Sequence, residues 1–137
     1  MRFALPDAPS RLLMIEADDA VATALSRGLR RHGWYVLRAA TAKAGLQLQA
    51  EWAPHVVLLS LDLPDMAAGE LVACLAERGG CSILVLSGHG GDTVRRAALA
   101  RGAHDVMSKP MRASEIAARI RAVQCRLDWS RLIPEPL

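Results

Sequence analysis

Two textures alternate along this chain. Short runs in which nearly every position is apolar (Leu12-Leu13-Met14-Ile15, Tyr35-Val36-Leu37, Val56 to Ser60, Ser82 to Ser87, Asp105-Val106-Met107) are separated by longer stretches where apolar residues return every three or four positions. A run without polar interruption suits a strand covered on both faces, and the longer period suits a helix with one buried side. The first run ends in Glu16. Asp18 or Asp19 is then placed to cap a helix that carries Val21, Leu25 and Leu29 and stops at Gly33. The same reasoning predicts a helix over 44–51, closed before Pro54, and one over 68–78 with Leu71, Val72 and Leu75 on one side. A further helix is predicted over 93–101, ended by Gly102, and a last one over 113–127 with Ile116, Ile120 and Val123 at helical spacing. GHGGD (Gly88 to Asp92) reads as a flexible turn, and the proline-bearing tail DWSRLIPEPL as an extended segment.

Five strand–helix units in succession predict an α/β fold: a doubly wound (βα)5 domain, with a five-stranded parallel sheet in a flavodoxin-like three-layer sandwich. The expected organisation is an N-terminal extension over 1–10, the domain over 11–127, and a tail or linker over 128–137. In such a sheet, ligands and chemistry gather at the carboxyl ends of the strands. The residues to weigh are therefore Glu16-Ala17-Asp18-Asp19, Ser60, Ser87 and Lys109.

Composition narrows the classes. A chain of 137 residues is one domain's worth, and a domain this size buries roughly 68% of its extended-chain surface, so one core suffices. No apolar run approaches the roughly 20 residues of a membrane span, and the Met1-Arg2-Phe3 start has no secretory pattern. A soluble, cytoplasmic protein with no membrane partner is expected. Cys74, Cys81 and Cys125 show no metal-ligand spacing and read as small buried hydrophobes. The formal charge of +3 comes almost wholly from arginines spread over several helices, since Lys43 and Lys109 are the only lysines. That distribution reads as solvated helix surface rather than a nucleic-acid face. His32, His55 and His104 read as surface or cap residues, and Trp34, Trp52 and Trp129 as local packing.

Four stretches in order carry a resemblance. LLMIEADD resembles the first strand and acidic turn of a response-regulator receiver domain of the CheY-like superfamily, and HVVLLSLDLPDM resembles its third strand and phospho-acceptor loop. ILVLSG is similar to the strand that ends in a Ser or Thr, and GAHDVMSKPM to the fifth strand with its lysine–proline pair. The nearest likeness is to the receivers of winged-helix, OmpR/PhoB-type regulators. The resemblance implies a two-component signalling module that accepts a phosphoryl group from a histidine kinase onto an aspartate, with a divalent cation held by acidic residues. By position, Glu16 matches the first acidic residue, Ser87 the switch hydroxyl, Lys109 the lysine, and Pro110 the proline often preceded by a cis bond.

Two positions depart from the pattern: Ala17 stands where the family's metal-binding aspartate belongs, and Ser60 where its phospho-acceptor belongs. Moving the acceptor to Asp62 puts Pro64 two residues after it, whereas the family's proline follows by four, its distance from Ser60. Counting Asp18 and Asp19 as the acidic pair pushes Glu16 into the buried first run. One carboxylate facing one ammonium leaves the site neutral without an ion. The expectation is a degenerate, non-enzymatic receiver in which Glu16, Ala17, Ser60, Ser87, Lys109 and Pro110 form a vestigial pocket. Mg²⁺ binding is then lost or weak, no cofactor is needed, and the chain acts by phosphorylation-independent contact with a kinase or downstream effector.

Other readings stand beside it. The resemblance implies a homodimer through the fourth helix, fifth strand and fifth helix, with Arg95 matched to Glu115 and Asp105 to Arg119. The chain also reads as the receiver of a winged-helix transcription factor, with DNA binding only if a further C-terminal domain belongs to it. A third reading is a receiver phosphorylated on a displaced Asp18 or Asp62. Ser60 also reads as a small polar filler at a strand end, and GHGGD as an anion cradle before a helix. A Ser87/His89/Asp92 hydrolase triad has no nucleophile-elbow pattern around Ser87.

Overall fold

A computed structural model describes residues 10–88 and 91–132, the last five of these by backbone alone. Most of the N-terminal extension, His89, Gly90 and residues 133–137 lie outside the described residues. The elements are β1 (Ser10–Ile15), α1 (Asp19–Arg31), β2 (Trp34–Ala39), α2 (Ala42–Trp52), β3 (Val56–Ser60), α3 (Ala68–Arg78), β4 (Ser82–Ser87), α4 (Gly91–Ala100), β5 (Asp105–Ser108) and α5 (Ala113–Leu132). The sheet is parallel throughout, in the order β2-β1-β3-β4-β5. The chain therefore reverses its winding between β1 and β3, and the carboxyl ends of those two strands form the switch point.

The apolar runs split by parity. Leu12, Met14, Val56, Leu58, Leu84, Leu86 and Met107 face one cluster, completed by Ala22 and Leu29 of α1 and Ile116, Ile120 and Val123 of α5. Leu13, Ile15, Val57, Leu59, Ile83, Val85 and Val106 face the other, with Leu71, Val72 and Leu75 of α3 and Ala98 of α4. Successive strand side chains point to opposite faces, so an unbroken run supplies two cores at once.

Several expectations are corrected. The buried line of α1 is Ala22, Ser26 and Leu29, with Val21 only half-buried. A Cβ at Gly28 would stand 2.3 Å from that of Ala113, so α1 closely approaches the start of α5 at that glycine. α4 begins at Gly91, which takes Gly91 and Asp92 out of the expected turn. Residues 128–132 continue α5 instead of starting an extended tail. Of the cysteines, Cys74 and Cys81 are half-buried and Cys125 is exposed, so none is a fully buried hydrophobe.

The outer edge of β2 is partly covered. Arg30 reaches from the last turn of α1 and donates to the Val36 carbonyl at 3.0 Å, occupying an acceptor that another strand would need.

Candidate functional site

The carboxyl ends of β1, β3 and β5 bring three of the expected residues together. Glu16 follows β1 and is 4% exposed; Ser60 ends β3 and is 1% exposed. The Lys109 ammonium, just after β5, lies 2.8 Å from Glu16 Oε1. The Ser60 hydroxyl donates to the same oxygen, and the Asp18 amide donates to Oε2 at 3.1 Å. The Glu16 amide is held by the Ala39 carbonyl of β2 at 3.0 Å. Burial alone raises the Glu16 carboxyl; the Lys109 ammonium, the Ser60 hydroxyl and the Asp18 amide outweigh it and hold the group below the ordinary carboxylate range.

Ser87 ends β4 and is buried, its carbonyl accepting from the Lys109 amide at 2.8 Å. A cleft of about 430 Å³ opens beside it, lined in part by Arg95, Val106 and Ser108. The Lys109–Pro110 peptide bond is cis. Ala17 is half-buried and brings no side-chain donor to the cluster. Among the described residues, no group of three or more His, Cys, Asp or Glu side chains is arranged to hold a metal ion. Glu16 is the one carboxylate in the cluster, and both its oxygens are already bonded, so the donor set as it stands does not fit a divalent cation.

Asp18 is the N-cap of α1 and accepts from the Val21 amide at 3.1 Å, while Asp62 is exposed. His89 of the weighed hydrolase triad lies outside the described residues, as does part of the weighed anion cradle.

The four residues of the expected dimer face are engaged within the chain. Arg119 grips Asp105 with both arms of its fork at 2.7 Å. Arg95 donates to the Val106 carbonyl at 2.9 Å and comes within 3.9 Å of Asp105. Burial raises the Asp105 carboxyl, but the Arg119 fork, the Val106 amide and Arg95 bring it below its ordinary value. Glu115 accepts from the Arg112 amide at 3.2 Å, which satisfies one donor at the start of α5.

Sequence reasoning missed two residues around the site. Arg38 of β2 donates to the carbonyls of Glu16 at 2.9 Å and Ala17 at 3.1 Å, and pairs with Asp19 at 2.7 Å. Asp65, in the loop after β3, accepts from the Ala42 and Lys43 amides at 2.8 and 2.9 Å. It thereby pins the Ser60 loop to the start of α2, beside the Thr41 cap. An arginine closing an otherwise apolar strand was the available signal for Arg38; Asp65 left none.

The comparisons with known proteins agree with this fold. Residues 12–121 match the family profile described as the response regulator receiver domain. The chain is 36% identical over 112 residues to the transcriptional regulatory protein AfsQ1 of Streptomyces coelicolor, covering 82% of this chain and 50% of that protein. It is 32% identical over 128 residues to the KDP operon transcriptional regulatory protein KdpE of Escherichia coli, covering 93% of this chain and 56% of the relative. The chain thus spans about half the length of these curated relatives. A receiver domain structure from Methanospirillum hungatei superposes with a TM-score of 0.83 at 23% identity, covering 90% of this chain and 99% of that one. This last likeness concerns the fold.

Proposed function

The chain belongs to the response regulator receiver family, and we propose that within it the chain is a pseudo-receiver: a two-component signalling domain that works by protein contact and takes no phosphoryl group. One observation carries the reading. Where the family places an aspartate acceptor, Ser60 donates its hydroxyl to Glu16, and Glu16 is already paired with Lys109. A phosphoryl transfer to this place needs a carboxylate nucleophile and charge to neutralise the incoming oxygens. The serine hydroxyl is bound as a donor to a carboxylate held charged, and the lysine is spent on the same carboxylate. The partner class that follows is a histidine kinase or a downstream effector that reads a fixed surface. No described helix is long and apolar enough to cross a membrane.

The test is incubation with acetyl phosphate and Mg²⁺. The expected result is no acid-labile phosphate by intact mass, whereas stoichiometric, Mg²⁺-dependent labelling overturns the reading. A second reading, the receiver half of a longer transcriptional regulator, is favoured by the names and double length of the relatives. A reading frame that runs beyond the codon for Leu137 into a DNA-binding domain decides for it.

A further inference from the structure

We infer that the Arg38 guanidinium stands in for a divalent cation at the β1–α1 turn: a fixed positive charge, delivered from β2, that orders the turn and opposes entry of a metal ion. The inference rests on the pseudo-receiver reading. It begins from the turn's oxygens. Backbone carbonyls and carboxylates are the donors a hard cation takes, and here the carbonyls of two successive residues, Glu16 and Ala17, both accept from one guanidinium. The same group pairs with Asp19.

The distribution of exposure tells which contacts matter. The Asp19 side chain is 89% exposed, so that pair is screened, while the Arg38 side chain is 28% exposed. The two carbonyl bonds are the anchoring ones. They depend on a planar fork with several donors, which a lysine's single ammonium does not reproduce. The turn so held also places the Asp18 amide on Glu16 Oε2 and the Asp18 carboxylate at the start of α1. Arg38 is therefore a positioning residue for the Glu16 cluster, acting through the backbone of the turn. Its charge has a second consequence: a fixed positive charge at this turn repels an incoming divalent cation. Restoring the two absent carboxylates is then not enough to restore the ion.

The experiment uses the full chain in two backgrounds. In the Ala17→Asp/Ser60→Asp background, Mg²⁺ is titrated calorimetrically with Arg38 kept, with Arg38→Lys and with Arg38→Met. Arg38→Met is expected to tighten Mg²⁺ binding about tenfold, and Arg38→Lys, which keeps the charge, much less. A dissociation constant for Arg38→Met within twofold of the parent, or weaker, overturns the inference. In the otherwise native background, hydrogen exchange at the Asp18 and Val21 amides is expected to accelerate at least about tenfold in Arg38→Met, with the amides of Leu58 and Leu84 unchanged. Unaltered exchange at the turn also overturns it. A merely structural arginine accelerates exchange without improving metal affinity. Acetyl phosphate labelling of the native chain bears on the pseudo-receiver reading alone, so the two ideas fail separately.

Discussion

The two ends of the sheet treat their titratable groups in opposite ways. At the carboxyl end, Glu16 is buried and has to stay charged, with a hydroxyl, an ammonium and an amide gathered on its two oxygens. At the amino end, His55 and His104 have to stay neutral. Each stands just before a strand, β3 or β5, and accepts through Nδ1 the amide of a residue on the neighbouring strand: Arg11 at 3.0 Å and Ile83 at 2.9 Å. Each backbone N–H returns a bond to the carbonyl of that same residue, at 2.9 and 2.7 Å. The imidazoles extend the ladder where the chain turns away, as it does at Ala53 with its φ of 49°. The amino end thus completes the scaffold, and the carboxyl end neutralises a charge.

Removing one partner of the buried charge separates the ends most sharply. Lys109→Met leaves the Glu16 carboxylate buried with only two hydrogen-bond donors. A fully buried pair loses about 3–5 kcal/mol on such a change; Lys109 is 27% exposed, so about 2–3 kcal/mol is expected. The measure is a lower urea midpoint at unchanged slope. Adding Glu16→Gln to Lys109→Met removes the stranded charge and is expected to recover at least half of the loss. A double variant no more stable than Lys109→Met alone shows that charge compensation is not what the lysine supplies.

Ser60→Ala tests the same end more gently. A hydrogen bond to a charged acceptor contributes about 1.5–3 kcal/mol, and Glu16 keeps Lys109 and the Asp18 amide, so a loss near about 1.5 kcal/mol is expected. A neutral or stabilising result makes Ser60 the small strand-end filler and removes the hydroxyl from the charge balance.

Much of this was legible because strands announce their ends. β3, α3 and β4 begin and end where the pattern predicts, and the convergence of Glu16, Ser60 and Lys109 follows from the rule that parallel strands present their carboxyl ends together. The helical periodicity was less secure where packing partners decide. On α1 the apolar spacing pointed to Val21, Leu25 and Leu29; Leu29 is buried and Leu25 packs against the core from a half-buried position, while the smaller Ala22 and Ser26 take fully buried places and Val21 does not. At the end of α5 the apolar period fades after Leu127, but residues 128–132 contain neither glycine nor proline, and the helix runs to Leu132. The partners of Arg38 and Asp65 were not legible, because both side chains cross between elements distant in sequence; only the presence of an arginine in an apolar strand hinted at the first.

The smallest effect probes the amino end and also divides the two ends by pH. Burial, with the Arg11 guanidinium near His55 and that of Arg126 near His104, lowers both imidazoles from their ordinary 6.5. The unfolded chain therefore takes up protons that the folded chain resists once pH falls below about 6.5, and the contribution of both groups fades as pH drops towards their folded values. Glu16 is also lowered, from 4.5, so its contribution is complete above that pH and fades only as pH falls below it. Two windows result, and the amino end weakens first. His55 is exposed and His104 half-buried, so the pair together is expected to contribute about 1 kcal/mol, mostly through His104. The combined variant His55→Asn/His104→Asn keeps an oxygen acceptor that does not titrate. Its urea midpoint between pH 7 and 5 is expected to be flatter than that of the native chain, while the fall below pH 4.5 persists. An equal slope in the native and variant chains between pH 7 and 5 places the acid sensitivity elsewhere and dissolves the contrast between the two ends.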